Sequence, residues 1–396
     1  MHLSERSQCM PTSPIRKLVP YADAAKAAGR KVYHLNIGQP DVVTPEPMWE
    51  AIRSYREKVI EYGPSNGLRP LREATCHYYG RLGFSLQPEH VTITTGGSEA
   101  ILFAYSVIAD AGDEIIVFEP FYANYNGFAC TLGLKLVPIT LSGDNDFRLP
   151  PKDVILSKIT PRTRGIQICS PNNPTGKVLS HQEMQELVEI AMAKDLFIIS
   201  DEVYREFAYD GQKVTSVLEF PKADDRTIVI DSVSKRFSAC GARVGGLISR
   251  NLELQARVLK YGQARLCPPT LGQIAAEAAY RMNPGYFDPV REDYQSRRNT
   301  VVSALKDMPG VSCAIPGGAF YLMAKLPVDD AEKFATYLLT DFQDNGETVM
   351  VAPGDGFYAT PGMGKQEIRI AYVLQVPKLE RAMEILAAAI PAYNKR

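Results

Sequence analysis

Thr227-Ile-Val-Ile-Asp-Ser-Val-Ser-Lys-Arg-Phe-Ser-Ala-Cys-Gly-Ala-Arg243 decides how this chain is read. Thr227 to Ile230 is a β-branched run with the length and composition of a buried strand. Polar residues crowd its carboxyl end: Asp231, Ser232 and Ser234, then Lys235, with Arg243 eight positions beyond the lysine. In open α/β sheets, ligands bind just past the carboxyl ends of the strands. A lysine there, among hydroxyls and a second cation, suits a Schiff-base nucleophile above an anion site. A lysine chosen blind is a solvated surface residue, so the functional reading must come from what else converges on Lys235.

Working outward, 396 residues are enough for a large core and two domains. A net charge of −1 offers no electrostatic case for nucleic acid or an anionic membrane as partner. No apolar run reaches transmembrane length, and Met1-His-Leu-Ser-Glu-Arg6 lacks the apolar core of a signal peptide. The seven cysteines are odd in number and scattered, without a Cys-x-x-Cys pair. They argue against a disulfide framework or a zinc site and fit a reducing cytoplasm.

Ahead of Thr227 the chain alternates. Residues 1–40 read as an arm broken by Pro11, Pro14 and Pro20, with a short strand at Lys31 to Ile37. Helices are expected over Pro45 to Lys58 and Leu68 to Leu82. Val91 to Thr95 is a strand, followed by Gly96-Gly-Ser-Glu99 and a helix from Ala100 to Ala109. A strand, glycine turn and helix N-terminus in that order suit a phosphate, because the first helical N–H groups have no intrahelical partners. A plain turn with Ser98 as N-cap explains the same residues equally well. Further strands are expected at Glu114 to Phe118, Lys135 to Ile139, Gly165 to Ser170, Phe197 to Ser200 and Val244 to Ile248, with a loop over Glu119 to Asn126. Ser180 and Glu183 form a capping box for a helix reaching Lys194. Such alternation implies a mostly parallel sheet covered on both faces. Beyond Asn251 long helices and short strands, among them Val349 to Ala352, read as a smaller α+β unit. The expected division is an arm, 1–40, packed with the small domain; a large domain, 41–284; and a small domain, 285–396.

Four strand ends then carry polar groups, and pyridoxal 5'-phosphate needs this set. Lys235 can hold an aldehyde cofactor as an imine. Asp201 ends an apolar strand, where an ionised carboxylate without a cation is costly; a protonated pyridine nitrogen would remove that cost and make the ring an electron sink. Asn173 and Tyr204 can donate to the ring oxygen. Ser98, Ser232, Ser234 and Arg243 suit the phosphate.

Six pieces carry a resemblance: Gly96-Gly-Ser-Glu-Ala100, Pro171-Asn-Asn-Pro-Thr-Gly176, Asp201-Glu-Val-Tyr204, Ser232-Val-Ser-Lys235, Gly241-Ala-Arg-Val-Gly245 and Arg369. In this order they resemble the class I/II aminotransferases, the fold-type I pyridoxal-phosphate family containing aspartate aminotransferase, over roughly residues 34 to 375. The resemblance implies a fold-type I α/β architecture and a homodimer with shared active sites, in the cytoplasm that the cysteines suggest. It implies that Lys235 binds the cofactor and shuttles the proton, and that Asp201 faces the ring nitrogen. Gly97, Ser98 and Glu99 (through backbone), Ser232, Ser234 and Arg243 would cup the phosphate. Tyr122 matches the aromatic that stacks on the ring, where aspartate aminotransferases usually have tryptophan. Arg369 matches the arginine that grips the substrate α-carboxylate with a planar fork, with Gly38 and Asn173 beside it. Tyr62 and Thr270 match positions that reach the phosphate of the other subunit. Arg265 could meet a substrate side-chain carboxylate, but a structural ion pair is the expected role.

The implied reaction moves an amino group from an α-amino acid to a 2-oxo acid, with 2-oxoglutarate as acceptor. The alternatives on the same fold are a C–S β-lyase or a related eliminating or decarboxylating enzyme. A non-catalytic cofactor-binding regulator is a third; with about forty residues ahead of the core, the basic helix-turn-helix domain of such regulators is not expected.

Overall fold

A computed structural model describes residues 2–396. In chain order its strands are β1 (Lys31–His34), β2 (Val91–Thr94), β3 (Glu114–Glu119), β4 (Lys135–Thr140), β5 (Thr163–Cys169), β6 (Phe197–Asp201), β7 (Thr227–Ser232), β8 (Gly245–Ile248), β9 (Ser312–Cys313), β10 (Tyr321–Lys325), β11 (Glu347–Met350), β12 (Ala352–Pro353) and β13 (Glu367–Ala371). Seven of them form one sheet in the order β2-β8-β7-β6-β5-β3-β4. β8 runs antiparallel to both neighbours, β2 and β7, and the other pairings are parallel. β2 and β7 therefore point the same way, and the carboxyl ends of β2, β5, β6 and β7 meet at one edge.

Both faces of this sheet are covered, which is why its strands read as unbroken apolar runs rather than alternating ones. Along β7, Ile228 and Ile230 join a core with Ala100 and Ala104 of the helix Gly96–Ile108. Val229 points the other way, into a core with Met184 and Leu187 of the helix His181–Lys194. The capping box that starts the latter helix is formed: Glu183 N donates to Ser180 Oγ (3.2 Å) and Ser180 N to Glu183 Oε2 (2.8 Å).

The remaining strands form a four-stranded sheet, β12-β13-β10-β9, and a parallel pair, β1-β11. Leu18, Ala22, Tyr33 and Leu35 near the N-terminus share a core with Leu322, Ile368, Ile370 and Leu386. Burying a leucine or isoleucine side chain of this kind contributes roughly 1.5–3 kcal/mol, so the N-terminal segment is anchored by packing as well as by the β1-β11 ladder.

Several local expectations change. The helix expected over Pro45 to Lys58 is Glu46–Arg53; Arg56, Glu57 and Lys58 offer no apolar side chain to bury, and short helices depend on packing. The loop expected over Glu119 to Asn126 instead leads into a helix, Asn124–Leu132, closed by Gly133 in the left-handed conformation. Pro20 does not break structure; it occupies the first turn of the helix Val19–Ala27, where its missing N–H costs nothing. The run Val349 to Ala352 splits between two sheets: β11 pairs with β1, and β12 with β13.

Candidate active site

At the end of β7, Ser232 turns the chain into a short helix, Val233–Arg236, and caps it by accepting from Ser234 N (3.1 Å). That turn aims Lys235 over the sheet edge. Its Nζ donates to Gly38 O (2.7 Å). The cavity it enters has a volume of about 590 Å³. All residues expected from the sequence line it, except Glu99, Tyr62 and Thr270.

Asp201 ends β6 and is buried. Tyr125 Oη donates to its Oδ2 (2.8 Å), and Val203 N approaches Oδ1 at 3.4 Å. No cation pairs with it among the described residues. Burial pushes its carboxyl up to about 6, against the lowering effect of the Tyr125 hydrogen bond.

Arg369 lies on β13 between Met323 of β10 and Ala352 of β12. It is 1% exposed, with its guanidinium over the rings of Tyr321 (4.5 Å) and Phe357 (4.8 Å). Its Nη1 donates to Asn173 Oδ1 (3.0 Å) and its Nη2 to Asn36 O. Nε has no partner, and no carboxylate reaches the group among the described residues. Burial holds its pKa below the ordinary arginine value.

The opposite wall is built by the helix Gly96–Ile108. It begins at Gly96, with Thr95 at the N-cap position and no side-chain cap. Ser98 is therefore a first-turn residue rather than the N-cap, because the two glycines are already inside the helix. Close approach requires glycine at Gly245, opposite both Thr94 and Ser232: a Cβ there would lie 2.5 Å from Gly96 C and 2.7 Å from Gly97 N. Arg243 borders the same end with φ 53°, a strained conformation for a non-glycine residue. Its Nη2 donates to Thr95 O (3.1 Å). Ser232 Oγ donates to Val244 O (3.0 Å) and lies 2.9 Å from Ser234 Oγ.

A family model described as aminotransferase class I and II matches residues 30–386. The chain belongs to this family. It is 30% identical to an aspartate aminotransferase of Bacillus subtilis, covering 100% of both chains. It is 31% identical to aromatic-amino-acid aminotransferase 2 of Thermococcus litoralis, over 97% of each. The solved structure of an aspartate aminotransferase from Thermotoga maritima superposes with a TM-score of 0.89 at 31% identity, covering 98% of this chain and 99% of that one.

In this aminotransferase the three residues outside the cavity have other surroundings. The Glu99 carboxylate accepts from Thr95 N (2.8 Å) and lies 3.7 Å from Arg265 Nε. Arg265 is thus in the structural ion pair expected of it. Tyr62 is 81% exposed, and Thr270 Oγ1 lies 3.4 Å from Glu61 O.

Residues the sequence reading missed complete the cavity. Tyr321 Oη lies 3.0 Å from Tyr204 Oη and 3.4 Å from Gly38 O. A Cβ on Gly38 would fall 1.7 Å from the Tyr321 hydroxyl, so Gly38 is glycine because Tyr321 occupies the space. Tyr125 stands edge-on to Tyr122 (5.5 Å, 86°) and reaches Asp201. Ser13, Ile15 and Arg16 of the N-terminal segment also line the wall. The only available signal was Tyr125, within the same Pro120 to Tyr125 stretch as Tyr122; nothing local marks Tyr321 or Arg16. Among the described residues no cluster of metal-ligating side chains occurs, and no helix is long and apolar enough to cross a membrane.

Proposed function

We propose that this aminotransferase works with pyridoxal 5'-phosphate and moves an amino group from an α-amino acid to a 2-oxo acid, with 2-oxoglutarate as the acceptor. The observation that carries the reading is the set of buried charges left without opposite charges. Among the described residues, Asp201 is a buried carboxylate with no cation, and Arg369 a buried guanidinium with no anion. The cofactor and an α-carboxylate would supply both missing partners, and the hydroxyls and helix N-terminus near Arg243 fit a phosphate. When bound, the cofactor supplies a cationic ring that accepts the electrons released on loss of the substrate α-proton.

The protein's own residues do the rest. Lys235 is the residue for the covalent link and, once released, for carrying the proton, and its Nζ is held at the cavity by Gly38 O. Asp201 keeps the ring nitrogen protonated. Asn173 gives its Oδ1 to Arg369, which leaves its Nδ2 to donate to the ring oxygen beside the Tyr204 hydroxyl. Tyr122 covers one ring face. Gly97, Ser98, Glu99 through its backbone, Ser232, Ser234 and Arg243 hold the phosphate. Arg369, with Gly38 and Asn173, would fix the α-carboxylate and so orient the α-carbon toward Lys235; such positioning is a large part of catalysis.

The same reading divides the chain into an arm, 1–40, a large domain, 41–284, and a small domain, 285–396, supported by the β1-β11 ladder, which ties the arm to the small domain. It also makes the enzyme a cytoplasmic homodimer with shared sites. Support for sharing comes from exposed Val59, Ile60 and Tyr62 beside Thr270, since clustered exposed apolar residues mark interaction surfaces.

The test is a half-reaction screen. Each common amino acid is added to the cofactor-loaded enzyme without an acceptor, and cofactor absorbance is followed. One stoichiometric change that stops is the expected result; in a separate sample without amino acid, borohydride should trap the cofactor on Lys235. Repeated turnover releasing ammonia or sulfide would instead make the enzyme a lyase.

A further inference from the structure

Glu119 ends β3 and is fully buried. No cation pairs with it among the described residues. A bare carboxylate in the interior is costly, and here three neutral donors offset that cost. Thr140, its cross-strand neighbour on β4, donates from Oγ1 to Oε1 (2.7 Å). Ala359 N (2.8 Å) and Thr360 N (3.0 Å) both donate to Oε2. Those two peptide groups belong to the segment between β12 and β13. The carboxylate therefore grips backbone from the part of the chain that leads into Arg369.

A glutamate that pins a loop is ordinarily part of the fold and nothing more. What separates Glu119 from that case is what the loop carries. Phe357 is fully buried, and its ring is one of the two that flank the Arg369 guanidinium, at 4.8 Å. Phe121 N donates to Phe357 O (2.9 Å). Glu119 and Phe121 thus hold residues 357–360 at three peptide groups. The next residue, Tyr122, lines the cavity. One short stretch, Glu119 to Tyr122, therefore carries the ring-covering tyrosine and also fixes the wall behind the buried arginine. Ala123, Phe147, Met323 and Phe357 share one small core, so packing joins the same two sides. Tyr358 Oη donates to Glu367 Oε2 (2.6 Å), which ties the loop to the strand of Arg369 itself.

We propose that Glu119 is a positioning residue for substrate binding. By holding residues 357–360 it keeps Phe357 against Arg369, and so sets the α-carboxylate grip relative to the cofactor beside Tyr122. The inference rests on the assignment of the α-carboxylate to Arg369, and adds the residue that fixes that arginine's wall. Hydrogen bonds to an ionised acceptor are roughly twice as strong as neutral ones. Removing the acceptor leaves two peptide N–H groups without a partner, and the loop is then free to shift. A guanidinium that must meet a carboxylate with two parallel hydrogen bonds loses alignment when its wall moves.

The experiment compares Glu119→Met, Glu119→Asp and Glu119→Gln as cofactor-loaded enzymes. KM and kcat are read from the half-reaction with L-glutamate, and Kd from the heat of binding 2-oxoglutarate. Methionine removes every acceptor and should raise KM and Kd about tenfold, with kcat within about twofold of wild type. Aspartate keeps the charge but shortens the reach, and should raise both about threefold. Glutamine can keep its oxygen on the two N–H groups while its amide donates to Thr140 Oγ1, and should bring both back to within about twofold of wild type. In an Arg369→Lys background, Glu119→Met should change kcat/KM less than about twofold, because residues that act as a unit are not additive. KM and Kd unchanged in the Met and Asp variants, or the full loss repeated in the Arg369→Lys background, overturns the proposal. Where Glu119→Met does not fold, Glu119→Asp and its combination with Arg369→Lys decide in the same way. An unchanged KM in Arg369→Lys alone would count against the α-carboxylate assignment itself, and the proposal would fall with it.

Discussion

Arg236 and Arg369 are both fully buried arginines, and what faces each is opposite. Arg236 meets Asp231 through two hydrogen bonds, Nη2 to Oδ1 (2.7 Å) and Nη1 to Oδ2 (3.1 Å). Its guanidinium lies 4.3 Å from the ring of Tyr78, and Tyr280 Oη donates to the same Asp231 Oδ2 (3.0 Å). Burial alone would lower its pKa, but Asp231 outweighs burial and holds it well above the ordinary value. Arg369 has only neutral acceptors, Asn173 and Asn36, and burial prevails. The carboxylates divide likewise: Asp231 has its arginine, while Asp201 has a tyrosine and a peptide N–H. A buried charge that is closed by its neighbours is part of the fold. One left open at a cavity is part of a binding site.

The sharpest way to break this comparison is to remove each arginine from the cofactor-free protein. Arg236→Met strands Asp231 in the interior and should cost about 3–5 kcal/mol in urea unfolding. Arg369→Met strands no charge and should cost clearly less, while abolishing substrate binding. Equal losses would mean that Arg369 is as structural as Arg236.

The next effect is a pH dependence. The folded-state pKa of Asp201, about 6, lies above its ordinary 3.8. Its contribution to stability is therefore fully present below 3.8 and is lost as the pH rises through about 6. The cofactor-free wild type should lose roughly 3 kcal/mol across that window relative to Asp201→Asn. Loading the cofactor, whose ring would supply the missing cation, should flatten the difference. A profile that is the same with and without cofactor would remove Asp201 from the site.

Arg369→Lys keeps the charge and loses the fork. KM for the amino acid should rise about tenfold to a hundredfold, measured by the half-reaction. An unchanged KM would assign the α-carboxylate elsewhere. The smallest effect belongs to Tyr125→Phe, which removes one hydrogen bond to Asp201, worth about 1 kcal/mol. It should move the Asp201 transition in the stability profile to higher pH. No movement would mean that the Tyr125 hydroxyl does not stabilise the carboxylate.

Lys235 and Asp201 were legible in the sequence because each stands at the end of a short apolar strand; Arg369 occupies a polar position of the alternating run Glu367-Ile-Arg-Ile-Ala371 and was legible only through the family resemblance. Tyr321 was not, because its residue type suits a β-strand on packing grounds alone, and its importance lies in reaching Tyr204 and Gly38 from another sheet. The helix Asn124–Leu132 was hidden by a glycine at Gly127 and a short apolar face. Tyr62 is exposed and the half-buried Thr270 turns its hydroxyl to Glu61 O, so within a single chain neither lines the cavity.

What the amino-acid order determined by itself was therefore local and chemical. β-branched runs set the strands of the large sheet, Ser180 and Glu183 set a helix start, and motif residues identified the family and its chemistry. The tertiary structure decided which charges are closed and which are open. Asp231 and Asp201 both belong to apolar strands, and strand pattern alone does not separate them; only the motif Asp201-Glu-Val-Tyr204 marks the second. Only packing brings Arg236 to the first and leaves the second facing a cavity. The reason is that pairing in a low-dielectric interior depends on distances of about 3 Å between residues far apart in sequence, and no local pattern encodes them. Arg16 is the extreme case: an ordinary basic residue of an N-terminal arm, brought to the cavity wall by Asn36 and Pro14.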